Sequence, residues 1–198
     1  MSALVFKTLA DPFVGKMNFL KVMSGNLKSD TTVYNSTKDK NEKIGNILFV
    51  RGKNTEQTDV VACGDIAVVV KLQDTGTGDT LCDKDKHVVL EGIEFPTPNL
   101  TFAISPKSKN DEDKLSDAIS KLLEEDPTLR IEKNTETKQN LLTGMGELQI
   151  NILVEKLKRR YGVDVVLAEP KVPYRETIRA TVEAEGKHKK QSGGRGQY

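Results

Sequence analysis

The stretch that decides the fold is residues 141–161, LLTGMGELQINILVEKLKRRY. It reads as a buried strand, a two-glycine turn and a long amphipathic helix. The turn is Thr143-Gly144-Met145-Gly146-Glu147-Leu148. Beyond it the apolar positions are Ile150, Leu153, Val154, Leu157 and Tyr161, the spacing that gives a helix one buried face. The opposite face carries Lys156, Lys158, Arg159 and Arg160. A strand–glycine–helix junction can cradle a phosphate, because free backbone N–H groups sit at a helix N-terminus. It also serves where a turn is simply tight. The plain turn is the preferred reading, since two glycines at this spacing match no nucleotide motif.

On either side of this stretch the pattern is strand, helix, strand, strand, helix, strand. Leu100-Thr101-Phe102-Ala103-Ile104 is the first strand, and a helix from Asp111 follows, with Ser108 or Asn110 as its N-cap. That helix has the stripe Leu115, Ala118, Ile119, Leu122 and Leu123, acidic residues in its first turn, and Pro127 at its end. Residues 129–133 and 140–143 read as an antiparallel pair, Gly162 stops the second helix, and residues 163–167 form the last strand. This βαββαβ order predicts a ferredoxin-like sandwich with both helices on one face of the sheet.

Before Phe95-Pro96-Thr97-Pro98, a stiff connector, the runs are short and β-like. They fall at residues 3–9, 17–22, 31–34, 44–50, 60–63, 66–72, 80–82 and 87–90, with turn residues between them and no helical period. A closed β-barrel is the expected architecture. The loop Asp74-Thr75-Gly76-Thr77-Gly78-Asp79 lacks the closing Glu of a calcium loop and reads as a hairpin turn.

The chain has 198 residues, 30% of them charged, yet a formal net charge of only +1, so any nucleic-acid preference must come from local clustering. Cys63 and Cys82 have no metal-ligand spacing; reduced thiols in a cytoplasmic protein are the simplest reading, with a single disulfide as the alternative. No apolar run approaches a membrane span, and no signal-peptide pattern opens the chain. A phosphate loop, a zinc-protease motif and a nucleophile elbow are all absent from the sequence. The two histidines, His87 and His188, are far apart in sequence, and Glu124-Glu125 reads as a solvated helix surface. Nothing in the sequence supports catalysis by this chain, and it needs no cofactor or metal of its own.

Two features can contact RNA. One is the glycine- and lysine-rich segment with Lys187, Lys189, Lys190 and Arg195, for which a plain solvated tail is an equal reading. The other is the basic helix face, for which simple solvation is the preferred reading.

Taken together, the segments resemble translation elongation factor G along the whole chain. The residues that carry the resemblance are Leu9-Ala10-Asp11-Pro12-Phe13-Val14-Gly15-Lys16, Ser24-Gly25-Asn26-Leu27-Lys28, Gly78-Asp79-Thr80-Leu81-Cys82 and Glu94-Phe95-Pro96. They continue in Glu124-Glu125-Asp126-Pro127-Thr128, Gly144-Met145-Gly146-Glu147-Leu148, Tyr174-Arg175-Glu176-Thr177-Ile178 and Gln191-Ser192-Gly193-Gly194-Arg195-Gly196-Gln197-Tyr198. Each is weak alone; in the family's order they are specific.

By that resemblance residues 1–92 are the second domain, a translation-factor β-barrel. Residues 93–172 are the ferredoxin-like third domain, and 173–198 a poorly ordered beginning of the fourth. The resemblance implies a fragment, monomeric, of a ribosome-binding GTPase that supports movement of tRNA and mRNA. Its partners are then the small subunit's rRNA and protein, and its own GTPase domain. GTP and Mg belong to the full-length parent. The third domain relays nucleotide state, and Gly144, Met145, Gly146, Glu147 and Gln149 are the implied relay residues.

Gln149 departs from the family, which commonly has His there, and the segment 186–190 is unusually lysine-rich. These departures keep open an elongation factor G-like paralogue or a ribosomal protection protein. A stand-alone RNA- or partner-binding module is the alternative from a different class.

Overall fold

A computed structural model describes residues 1–11 and 13–186. The first half is built from ten strands: β1 (Ser2–Asp11), β2 (Gly15–Ser24), β3 (Asn26–Lys28), β4 (Thr32–Asn35), β5 (Lys40–Lys43), β6 (Ile47–Arg51), β7 (Asn54–Thr58), β8 (Val60–Ala62), β9 (Ile66–Val70) and β10 (Thr80–Cys82). Eight of them hydrogen-bond in the order β5-β4-β10-β1-β2-β9-β6-β7, and β3 pairs with β8. The long β1–β2 hairpin is the spine. Alternation along it sends Ala3, Val5, Leu20 and Val22 inward, where they meet Leu27, Ile47 and Leu81 in one β-barrel core.

Three sequence expectations change here. Residues 44–50 are not one strand: β5 pairs with β4 and β6 with β9, and Ile44 and Ile47 both turn into the core across the break. Residues 87–90 form no strand. The Val88 carbonyl accepts the Ser36 hydroxyl at 2.6 Å and the Leu90 N–H donates to Thr80 Oγ1 at 3.1 Å, so side chains satisfy that backbone. The 74–79 loop is no hairpin, because β9 and β10, which it joins, are not neighbours in the sheet. It is a crossover held by the buried Glu42, whose carboxylate accepts the Asp74 and Thr75 N–H groups at 2.7 Å and the Gln73 N–H at 3.1 Å.

The second half runs β11 (Leu100–Pro106), α1 (Glu112–Glu125), β12 (Arg130–Asn134), β13 (Gln139–Gly144), α2 (Glu147–Tyr161) and β14 (Val165–Ala168). The sheet order β12-β13-β11-β14 is antiparallel throughout, which is the ferredoxin-like split βαβ. Both helices bury their stripes on one face, Leu115, Ile119 and Leu122 from α1 meeting Ile150, Leu153 and Leu157 from α2. Each such side chain contributes about 1.5–3 kcal/mol. A short 3-10 turn, Lys109–Asp111, precedes α1, and neither Ser108 nor Asp111 caps by its side chain, contrary to the expected Ser108 or Asn110 cap. Helix α2 ends at Gly162 in the left-handed region, φ 66°, with its N–H returning to the Lys158 carbonyl. No helix among the described residues is long and apolar enough to cross a membrane.

Candidate functional site

The implied relay residues come together at one junction. Gly144 closes β13, Met145 and Gly146 make the turn, and Glu147 opens α2. Helix α2 starts at Glu147, so Glu147 stands in its first turn and Leu148, read as part of the turn, is helical. Gln149 organises the junction. Its Oε1 accepts the Met145 N–H at 2.6 Å, and its Nε2 donates to Asp126 Oδ2 at 2.8 Å and to Thr128 Oγ1 at 2.7 Å. Asp126 Oδ1 accepts both the N–H and the hydroxyl of Thr128. The start of α2 is thereby tied to the turn that follows α1.

Burial pushes the Asp126 carboxyl up, but the bonds from Thr128 and Gln149 and the nearby Lys156 charge outweigh it, so it lies below the usual value. Gly144 leaves room for this network. A Cβ there would lie 2.7 Å from Gln149 Oε1 and 3.2 Å from Ile150 Cγ1. Gly144 is thus explained by close packing, whereas a Cβ on Gly146 would meet nothing within 4 Å, and the Met145 N–H is already used within the chain.

Beside the network is a cavity of about 300 Å³ lined by Leu122, Leu129, Leu148, Ile152, Leu153 and Lys156, with Asp126 and Gln149 at its wall. Leu148 is 74% exposed and Ile152 47% exposed, and Met145 also faces solvent. One side of α2 is therefore apolar and uncovered, next to a hydrogen-bonded frame. A concavity of about 680 Å³ along α1 is larger, but it mixes Glu112 and Asp113 with Lys133 and Lys138 and touches none of the implied relay residues.

The basic helix face is not free. Lys156 and Arg160 pair with Glu125 at 3.6 and 3.0 Å, Lys158 with Asp164 at 3.6 Å, and Arg159 with Glu155 at 2.9 Å. Glu125 itself overturns the solvated-surface reading: its side chain is 6% exposed and accepts the Ala10 N–H of the barrel at 3.0 Å. Sequence reasoning passed over Glu125, Arg160, Asp126, Thr128 and Glu42 as partners. The one available signal was the acidic pair just before Pro127. His87 is exposed and its ring stacks on Tyr34 with centroids 4.2 Å apart, outside any strand. Cys63 and Cys82 are free thiols. Among the described residues no cluster of His, Cys, Asp or Glu has the arrangement of a metal site. Lys187, Lys189, Lys190 and Arg195 lie outside the described residues.

A barrel followed by a helix-faced βαββαβ sheet is the build of a multidomain translation elongation factor, and comparison with known proteins makes the family explicit. The model for elongation factor G domain 2 matches residues 1–84, that for domain III residues 95–169, and that for domain IV residues 170–198. A crystal structure of a Thermus thermophilus protein aligns with a TM-score of 0.79 at 37% identity, covering 100% of this chain and 30% of that one. The chain belongs to the elongation factor G family. It spans under a third of the length of that Thermus thermophilus protein.

Proposed function

We propose that this chain supplies the ribosome-facing barrel and the relay domain of a cytoplasmic translational GTPase that supports tRNA and mRNA movement. The observation that carries the reading is the uncovered apolar side of α2, Leu148 and Ile152, with Met145 in the turn before it, on a frame held by Gln149 and Asp126. An apolar face on a rigid frame suits a neighbouring domain that docks in one nucleotide state and withdraws in another. The proposed occupant is the GTPase domain of a longer, monomeric protein. GTP and Mg chemistry is assigned to that domain, since this sequence carries no phosphate-loop motif. The proposed contacts of the barrel are small-subunit rRNA and protein. These are the family's domains, in the family's order.

Ribosome-stimulated GTP hydrolysis by the longest product of the gene carrying this sequence tests the reading. Hydrolysis is expected to rise on adding ribosomes. Leu148→Asp is expected to remove most of that rise and leave nucleotide affinity unchanged. A product with no hydrolysis, or one indifferent to ribosomes, overturns the reading in favour of a stand-alone binding module.

A further inference from the structure

We infer that Glu125, Arg160 and Ala10 form a latch that sets the angle between the barrel and the helix-faced sheet. Strand β1 is paired on both sides only near its start: β10 covers Ser2 to Leu4, while β2 continues to Asp11. At Ala10 the side away from β2 would be an open edge, with an N–H and a carbonyl left over. The other domain fills it. Glu125 Oε1 accepts the Ala10 N–H at 3.0 Å, and Arg160 donates to the Ala10 carbonyl. Arg160 also donates to both Glu125 oxygens, at 3.0 and 3.1 Å. One carboxylate and one guanidinium thus do for Ala10 what a residue of a neighbouring strand would do. The guanidinium lies 5.6 Å from the centre of the Tyr161 ring, a further contact that helps to hold it.

Helix α1 also lies alongside strand β1. The apolar cores of the two halves are separate clusters that share no residue. The further ion pair, Lys16 with Glu124, is loose at 3.6 Å. Next to it is an open cleft of about 360 Å³ lined by Lys38, Asp74, Gly76, Thr77, Leu123 and Pro127. An interface without a shared apolar core moves by default unless polar contacts fix it. Here the hydrogen bonds between the described residues of the two halves converge on Ala10, through the Glu125 carboxylate and the Arg160 guanidinium that it holds. The same carboxylate belongs to α1 at the residue before Asp126, which holds the other end of α2 through Gln149. Glu125 and Asp126 therefore grip α2 near both ends, and only the Glu125 end reaches the barrel.

The latch is tested on the free 198-residue chain, independently of any ribosome. Residual dipolar couplings are measured for both halves, together with hydrogen exchange of the Ala10 amide. In the wild type both halves are expected to report one alignment tensor. In Glu125→Gln and in Arg160→Met the tensors are expected to separate. The Ala10 amide should then exchange about tenfold or more faster, as loss of a hydrogen bond to a charged acceptor implies. The double variant should be no looser than either single one, because the three groups act as a unit. Glu124→Gln, which removes only the loose pair, should leave the tensors together. Unchanged shifts at Val5 and Leu142, one in each core, show that both halves stay folded. Separate tensors in the wild type overturn the latch, and so do single variants that change neither tensor nor exchange.

Discussion

Gln149 and Asp126 are joined by a 2.8 Å hydrogen bond that spans from the start of α2 to the residue just past α1. The same carboxamide accepts the Met145 N–H and donates to Thr128, so one side chain meets three groups on two segments. An apolar replacement would leave the Met145 N–H and Asp126 Oδ2 without this partner at once. Gln149→Leu is expected to lower the stability of this half by about 1–3 kcal/mol, the range for leaving partly buried hydrogen-bonding groups unmet. Urea unfolding followed by a probe on α2 measures it. A loss under a few tenths of a kcal/mol would mean water replaces the carboxamide at little cost.

The two glycines of the junction should respond in opposite ways. A Cβ on Gly144 would sit 2.7 Å from Gln149 Oε1 and 3.2 Å from Ile150 Cγ1, while one on Gly146 meets nothing within 4 Å. Gly146 is also fully extended, at φ 178° and ψ 172°, so its backbone suits any residue. Ile150 is wholly buried and the Gln149 oxygen is pinned, so neither neighbour gives way easily. Gly144→Ala is expected to cost about 1–3 kcal/mol, as overpacking does, and Gly146→Ala under about 0.5 kcal/mol. Melting temperatures of the two variants side by side decide the matter; equal losses would contradict it.

The ferredoxin-like half was legible because its elements follow simple periods. Leu115, Ala118, Ile119 and Leu122 mark α1, and Ile150, Leu153 and Leu157 mark α2. In the barrel, β5 and β7 have no apolar alternation, reading KNEK and NTEQT, so nothing local announced them. The junction residues are adjacent in sequence, so their meeting at one turn needed no long-range information. Glu125 was not legible, since what buries it is Ala10, 115 positions away. Glu42 escaped for the same reason: the loop it holds lies 31 to 33 positions on. Periodicity reports which face of an element is buried, and it is silent on which distant polar group meets a charged one.

Glu42 provides a further prediction. Its carboxylate is buried and accepts the Gln73, Asp74 and Thr75 N–H groups and the Thr75 hydroxyl. All four partners are donors, so only an acceptor at both oxygens fits. Glu42→Gln keeps the size but turns an amide NH₂ toward one of these N–H groups. The expected loss is about 1–3 kcal/mol of barrel stability, with faster amide exchange at residues 73–75. An unaltered exchange pattern there would show that the crossover loop holds itself.

Asp126 sets the acid limit of the same frame that Gln149 builds. Burial raises its carboxyl, yet hydrogen bonds from Thr128 and Gln149, with the Lys156 charge, outweigh that effect and leave it below the ordinary value. A carboxyl depressed in the folded state binds fewer protons there than in the unfolded chain. Its contribution is therefore complete above the unfolded pKa of about 3.9, and it is lost as pH falls through the lower folded value. Asp126→Asn should be less stable at neutral pH, since its amide NH₂ would face the Gln149 NH₂. It should also show a shallower fall of stability below about pH 4, the unfolded-state value. Asp11 is depressed as well, by the Val14 and then the Phe13 N–H, but its carboxylate serves an exposed hairpin tip. Asp11→Asn should therefore flatten the acid limb less than Asp126→Asn does. Denaturant titrations at stepped pH give both slopes. If Asp126→Asn keeps the wild-type slope below about pH 4, the protonation that weakens this protein in acid takes place elsewhere.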